Sequence, residues 1–220
     1  MRNTSLARAL VALVLLAWPV ASQAQFTVYT NLAAFLAATT SAGTDSFNDL
    51  SITGSTPTPL ARSAGAFSYT ATVNTTTFYG AGSGTDHWLS ANTATDVIRF
   101  SGFSSSVRGV GGFFFGTDVS GAFRSGSSVI VRATNAAGTT SQTVVDATLG
   151  TFLGFVSTTD IFSLTVETVL PATGFAWPTV NDLVLAAAPT AGVVPEPATY
   201  ALLSAGLLVV GVVAKRRRRN

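Results

Sequence analysis

Ser128-Val129-Ile130-Val131-Arg132-Ala133 runs into Asn135-Ala136-Ala137-Gly138 and returns through Thr139 to Val145. Val129 and Val131 alternate with Ile130 and Arg132, which is the period-two pattern of a strand with unlike faces. A short Asn/Gly-containing break between two such runs predicts an antiparallel hairpin. This stretch decides the class, because its neighbours repeat the pattern. In Phe67-Ser68-Tyr69-Thr70-Ala71-Thr72-Val73 the residues Phe67, Tyr69, Ala71 and Val73 share a face. Thr151 to Val156, Ile161 to Thr168 and Val180 to Ala186 are further strand-like runs, with Phe162, Leu164 and Val166 expected on one side.

Thr30 to Ala38 differs. Leu32, Phe35 and Leu36 recur at helical spacing, and Thr30 or Asn31 can cap the turn. Many short strands about ten residues apart with one early helix predict a mainly β fold, an antiparallel jelly-roll-like sandwich. A closed barrel is the rival. Phe113-Phe114-Phe115 puts rings on both faces of its strand, which predicts a two-sided environment or an exposed patch.

The two ends are built differently. Near the N-terminus, Arg2 and Arg8 precede an apolar run from Ala9 to Val20, then Ser22-Gln23-Ala24. That is the pattern of a secretory signal peptide, residues 1–24, cleaved after Ala24, with an uncleaved anchor as the alternative. At the other end stand Pro195-Glu196-Pro197, an uncharged segment from Ala198 to Ala214, and the basic run Lys215, Arg216, Arg217, Arg218, Arg219. At 1.5 Å per residue the apolar segment spans roughly 25 Å as a helix, the short end of membrane-crossing length. The five cations act as a membrane stop and remain cytoplasmic by the positive-inside rule. Pro195 and Pro197 hold Glu196 in a stiff extended frame. An ordinary C-terminal anchor is the plainer alternative. Residues 25–189 then form an exported domain, and 190–220 a spacer and tail with its transmembrane helix at 198–214.

The tail resembles the PEP-CTERM sorting signal of exported bacterial proteins. The resemblance implies a membrane-embedded processing enzyme of the exosortase type as partner, after Sec translocation and signal peptidase. It also implies a destination at the cell surface or in extracellular matrix, in an exopolysaccharide or biofilm context. Phe26 to Ala38, Asp45-Ser46-Phe47-Asn48-Asp49, Phe152-Leu153-Gly154-Phe155 and Asn181-Asp182-Leu183 look, more loosely, like segments of other such proteins. That likeness carries no activity with it.

The division into parts reverses the charge. Seven of the 12 cations lie at residues 2, 8 and 215–219, so five arginines face nine acids between Gln25 and Val194, a net charge of −4. No lysine lies in that interval. A nucleic-acid surface is excluded. Cysteine is absent, which removes disulfides, thiol chemistry and thiolate metal sites.

His87 is the only histidine, so multi-histidine zinc sites are excluded. No Gly-x-Ser-x-Gly elbow presents a nucleophile to it, and in a strand Asp86 and His87 would point to opposite faces. The acids are scattered, and Asp commonly serves turns. We therefore expect no enzyme and no catalytic residues; a glycan hydrolase using two carboxylates stands behind that reading. No cofactor is expected beyond a candidate structural calcium, for which Asp45, Asp49 and Asp182 are the ligand candidates if the terminal strands are neighbours. Tyr79, Trp88 and Trp177 lie in polar or Gly/Pro-rich stretches and are candidates for glycan contact, with core packing as the alternative. The leading expectation is a structural or adhesive exported protein, with a carbohydrate-binding module as the second.

Overall fold

The computed structural model describes residues 25–75, 77–104 and 106–187. These form strands β1 (Phe26–Tyr29), β2 (Thr40–Asp45), β3 (Ser55–Pro57), β4 (Leu60–Ala64), β5 (Phe67–Thr72), β6 (Thr77–Ser83) and β7 (Asp86–Ala91). There follow β8 (Ile98–Ser101), β9 (Gly109–Thr117), β10 (Ser128–Asn135), β11 (Gly138–Val144), β12 (Phe152–Ser157), β13 (Ile161–Val169) and β14 (Trp177–Ala187). One helix, α1 (Leu32–Ala37), follows β1, and the Asn31 side chain accepts the Ala34 N–H at 3.0 Å to cap it.

The strands pair antiparallel into two sheets. The larger runs β1-β12-β9-β14-β7-β6-β3, with β2 also on β14, and the smaller runs β11-β10-β13-β8-β5-β4. β14 is long enough to hold β7 through Thr179 and Val180 and β2 through Leu183 to Ala187, end to end along one side. Its pairing with β9 is interrupted by a bulge between Asn181 and Val184, where Asp182 takes φ 46°.

The main core lies between the sheets. Phe67, Tyr69 and Ala71 of β5, Val129 and Val131 of β10, and Leu164 and Val166 of β13 are buried there, as their alternation predicts. The larger sheet contributes Phe78, Leu89, Phe114 and Val180. Its other face is also covered. There α1 sets Phe35 against Phe152, Val184 and Ala186, and Gly154 gives the Phe35 ring room that a Cβ would take. Further along that face Trp88 meets Phe115 edge-on at 4.9 Å, beneath Phe123 of the loop after β9. Phe113 to Phe115 thus lie in a two-sided environment, and not in an exposed patch.

Phe162 departs from its expected place. Asn135 pairs with Ile161 and Thr134 with Ser163, so the β10–β13 register skips Phe162 at a bulge. The ring is turned out, 54% exposed, while Ile161 and Leu164 remain in the core.

Candidate ligand-binding cleft

The outer face of the larger sheet is the one that carries α1 and Trp88. On β7 that face bears Asp86, Trp88 and Ser90, with Asn92 two residues further on. Ser90 is opposite Tyr79 of β6 and opposite Thr179 of β14, so all three side chains share the face. The hydroxyls of Ser90, Thr117 and Thr179 lie 2.9 to 3.3 Å from one another, and Ser90 also bonds the Pro178 carbonyl at 3.2 Å. This buried cluster satisfies its own donors and acceptors and fixes the floor between Tyr79 and Trp177.

Above that floor lies a 60 Å³ cavity walled by Tyr79 and Trp177, with Asp118 and Val119 leaning over it. A wider, more open hollow of 310 Å³ adjoins it, between Trp177 and Phe175 on one side and Asn92 to Thr95 on the other. Trp177 and Asn92 line both, which makes the two hollows one groove. Phe175 and Trp177 meet at 6.3 Å between centroids and 60° between planes, forming a twisted aromatic wall.

The groove is held from outside. Arg124 donates to the Phe175 carbonyl and, at 3.0 Å, to that of Thr173, tying down the loop that presents Phe175. One Asp118 oxygen accepts from the Ser120 N–H at 2.8 Å, the Ser120 hydroxyl at 2.6 Å and the Ala122 N–H at 3.1 Å. The Ser120 hydroxyl bond is the chief cause that keeps the Asp118 carboxyl below the usual range. Asp118 therefore stays charged while it shapes its loop.

Two of the three aromatic candidates, Tyr79 and Trp177, come together in this groove. Trp88 does not: it is 1% exposed, packs under Phe115, and donates its indole N–H to Asp86 at 2.8 Å. Its polar neighbours in sequence are the turn before β7, not its surroundings. Phe175 and Asn92 were not singled out by sequence. The two-residue step from Phe175 to Trp177 was the signal for the first; nothing local marks the second.

The proposed metal ligands are held otherwise. Asp45 and Asp49 do converge, but on Arg62, which contacts each through two nitrogens at 2.6 to 3.0 Å. Tyr69 adds its hydroxyl to Asp45 at 2.6 Å, and the guanidinium sits 5.2 Å above the Phe47 ring. The Arg62 hydrogen bond lowers the Asp49 pKa, and burial, then the Asp45 charge, raises that of Tyr69. Burial alone would lower the Arg62 pKa; its bonds to Asp45 and Asp49 outweigh that and raise it. Asp182 is apart from this group, although Leu183 beside it is opposite Asp45. Burial, and then repulsion from Asp86, raises the Asp182 pKa. Among the described residues no three His, Asp or Glu side chains gather where they could hold a metal ion.

His87 and Asp86 point apart, as strand alternation requires. The His87 ring bonds the Leu50 carbonyl through Nδ1 at 2.5 Å, whereas Asp86 accepts from Trp88 and from the Asn181 amide at 3.1 Å. Asp160, beside a third hollow near Phe103 and Phe162, accepts from Ser106 at 2.5 Å and Arg108 at 3.0 Å.

Pro195, Glu196, Pro197 and the run Lys215 to Arg219 lie outside the described residues, as do the leader at 1–24 and the apolar segment at 198–214. Among the described residues no helix is long and apolar enough to cross a membrane. Residues 193–219 match the family model of the PEP-CTERM protein-sorting motif. That motif implies export, membrane anchoring before processing, and processing by an exosortase-type enzyme. No curated protein and no solved structure matches the chain.

Proposed function

We propose that this chain is a non-enzymatic structural or adhesive protein, delivered to the cell surface or extracellular matrix once an exosortase-type enzyme has acted on its tail. Sec translocation and signal peptidase supply the exported chain, and exopolysaccharide is the material around it. The match of residues 193–219 to the sorting motif carries this reading. The strand order β7-β14-β9-β12 facing β8-β13-β10-β11 supports describing the domain as a jelly roll, an architecture common to binding modules.

The chemistry of the groove fits a role without turnover. A glycosidase needs two carboxylates roughly 5 to 10 Å apart across the scissile bond. The groove offers Asp118 alone, already bound to its own loop. The His87 ring is engaged with the Leu50 backbone carbonyl, and Asp86 beside it in sequence is turned to Trp88 and Asn181. A carbohydrate-binding module is the second reading, favoured by the Tyr79–Trp177–Phe175 groove.

The sorting claim is tested by changing Pro195-Glu196-Pro197 to alanines and following the product's mass and location. Retention of an unprocessed, membrane-held form is expected. Unchanged processing would sink the reading.

A further inference from the structure

We infer that the groove from Tyr79 past Trp177 to Phe175 binds an uncharged glycan chain, with its sugar rings in the wider hollow against Trp177 and Phe175 and a ring substituent reaching towards Tyr79. The inference rests on the adhesive reading above and gives it a ligand class and a place. The wider hollow, 310 Å³, is at the lower end of the roughly 300–1,000 Å³ typical of small-ligand sites, so it suits one or two sugar rings. Phe175 is 58% exposed next to a half-buried Trp177. That aromatic surface is held in place by Arg124 instead of being folded into the core.

The chemistry of the rim selects among occupants. Sugar rings present C–H faces that lie against aromatic rings, and hydroxyls that need both donors and acceptors. The aromatic wall supplies the first, and the side chains of Asn92, Thr93 and Thr95 supply the second along the opposite wall. A peptide added as a strand would need a free sheet edge, but β7 and β14 are interior strands. Single-stranded nucleic acid also stacks on aromatics, yet it requires cations along its backbone. Arg124 is the cation by the groove, and its terminal nitrogens are on carbonyls. Asp118 at the narrow end stays charged and opposes uronates or sulfated sugars. Between neutral and anionic chains, the neutral one is compatible with every group present.

The test is titration calorimetry of the full-length chain in a detergent without a sugar headgroup. The ligands are neutral oligosaccharide series (β-1,4-glucan, β-1,3-glucan and mannan hexaoses), with alginate as the anionic comparison. Binding to at least one neutral series and not to alginate is expected. Trp177→Ala should weaken it about tenfold or more, and Tyr79→Ala and Phe175→Ala by about three- to tenfold each. Phe175→Ala removes an exposed ring, so its far-ultraviolet circular dichroism and unfolding midpoint should match the parent and separate lost binding from lost fold. Neutral-glycan binding that survives both Trp177→Ala and Phe175→Ala would overturn the site while leaving the adhesive reading intact. Absence of binding to every neutral series, or preference for alginate, would overturn the ligand class. The adhesive reading itself fails separately, if the processed chain does not fractionate with exopolysaccharide.

Discussion

Arg62 grips Asp45 through Nε and Nη2, both at 2.6 Å, where the Asp45 side chain is only 4% exposed. The pair joins β2, on the edge of one sheet's long strand, to β4 of the other sheet. Asp45 is the C-terminal residue of β2 and Arg62 the middle of β4, so the bond crosses between layers. Removing the cation would leave a buried carboxylate with only Tyr69 and a backbone N–H. Arg62→Met is expected to destabilise by about 3–5 kcal/mol, read from urea unfolding. A loss below about 1 kcal/mol would mean that water reaches Asp45.

Trp88 separates packing from binding. Its side chain fills the space between β7, Phe115 and the loop bearing Phe123, so Trp88→Ala should destabilise by about 3–5 kcal/mol. Trp88→Phe keeps most of the ring and should retain the fold while losing the bond to Asp86. Thermal unfolding of the two variants checks this order, and equal, small losses in both would contradict it.

Asp182 has the opposite sign from Asp49 and Asp118. Burial and Asp86 raise its pKa in the fold, so its charged form is disfavoured there. The penalty is full above the raised folded value and gone below the ordinary 3.8. Asp182→Asn should raise the melting temperature at pH 7 by about 1–3 °C, since Asn also tolerates a positive φ. The gain should shrink as pH falls through that window. A gain that persists at low pH would assign the effect to backbone preference and not to charge.

Gly43 marks the closest approach of β2 to the other sheet. A Cβ there would stand 2.3 Å from the Ala64 carbonyl oxygen and 2.7 Å from the Gly65 Cα, both backbone atoms that cannot rotate away. Gly43→Ala should destabilise by at least about 1–3 kcal/mol, the cost of overpacking. Unchanged stability in denaturant titration would show that β2 can shift outward without loss.

The alternation legible in sequence is that of strands whose faces differ. β5, β10 and β13 have one face in the core and one at the surface, and their alternation is visible without any partner. β9 and β14 are covered on both faces, so Gly109 to Thr117 reads as Gly- and Phe-rich without a period, and its place at the centre of the larger sheet is not legible locally. Phe162 followed the alternation in sequence but not in space, because a bulge is set by pairing with β10 and not by its own neighbours. The site was legible in part. Tyr79 and Trp177 stand out by residue type, but Trp88 was indistinguishable from them, since it is buried against Phe115 of β9, which is distant in the chain.

By itself the sequence determined the chain's address and class: the Pro-Glu-Pro tail with its apolar and basic segments, the acidic balance between the ends, and a β-rich domain. These properties reside in contiguous residues, so composition and spacing express them fully. The tertiary structure alone decided which acids meet which partners and which aromatics remain open. Asp45 and Asp49 converge on Arg62 because β2 and the turn after it pack against β4 of the other sheet, and Trp177 reaches Tyr79 because β14 and β6 flank β7. Contacts across such separations depend on pairing and register, which no local pattern encodes.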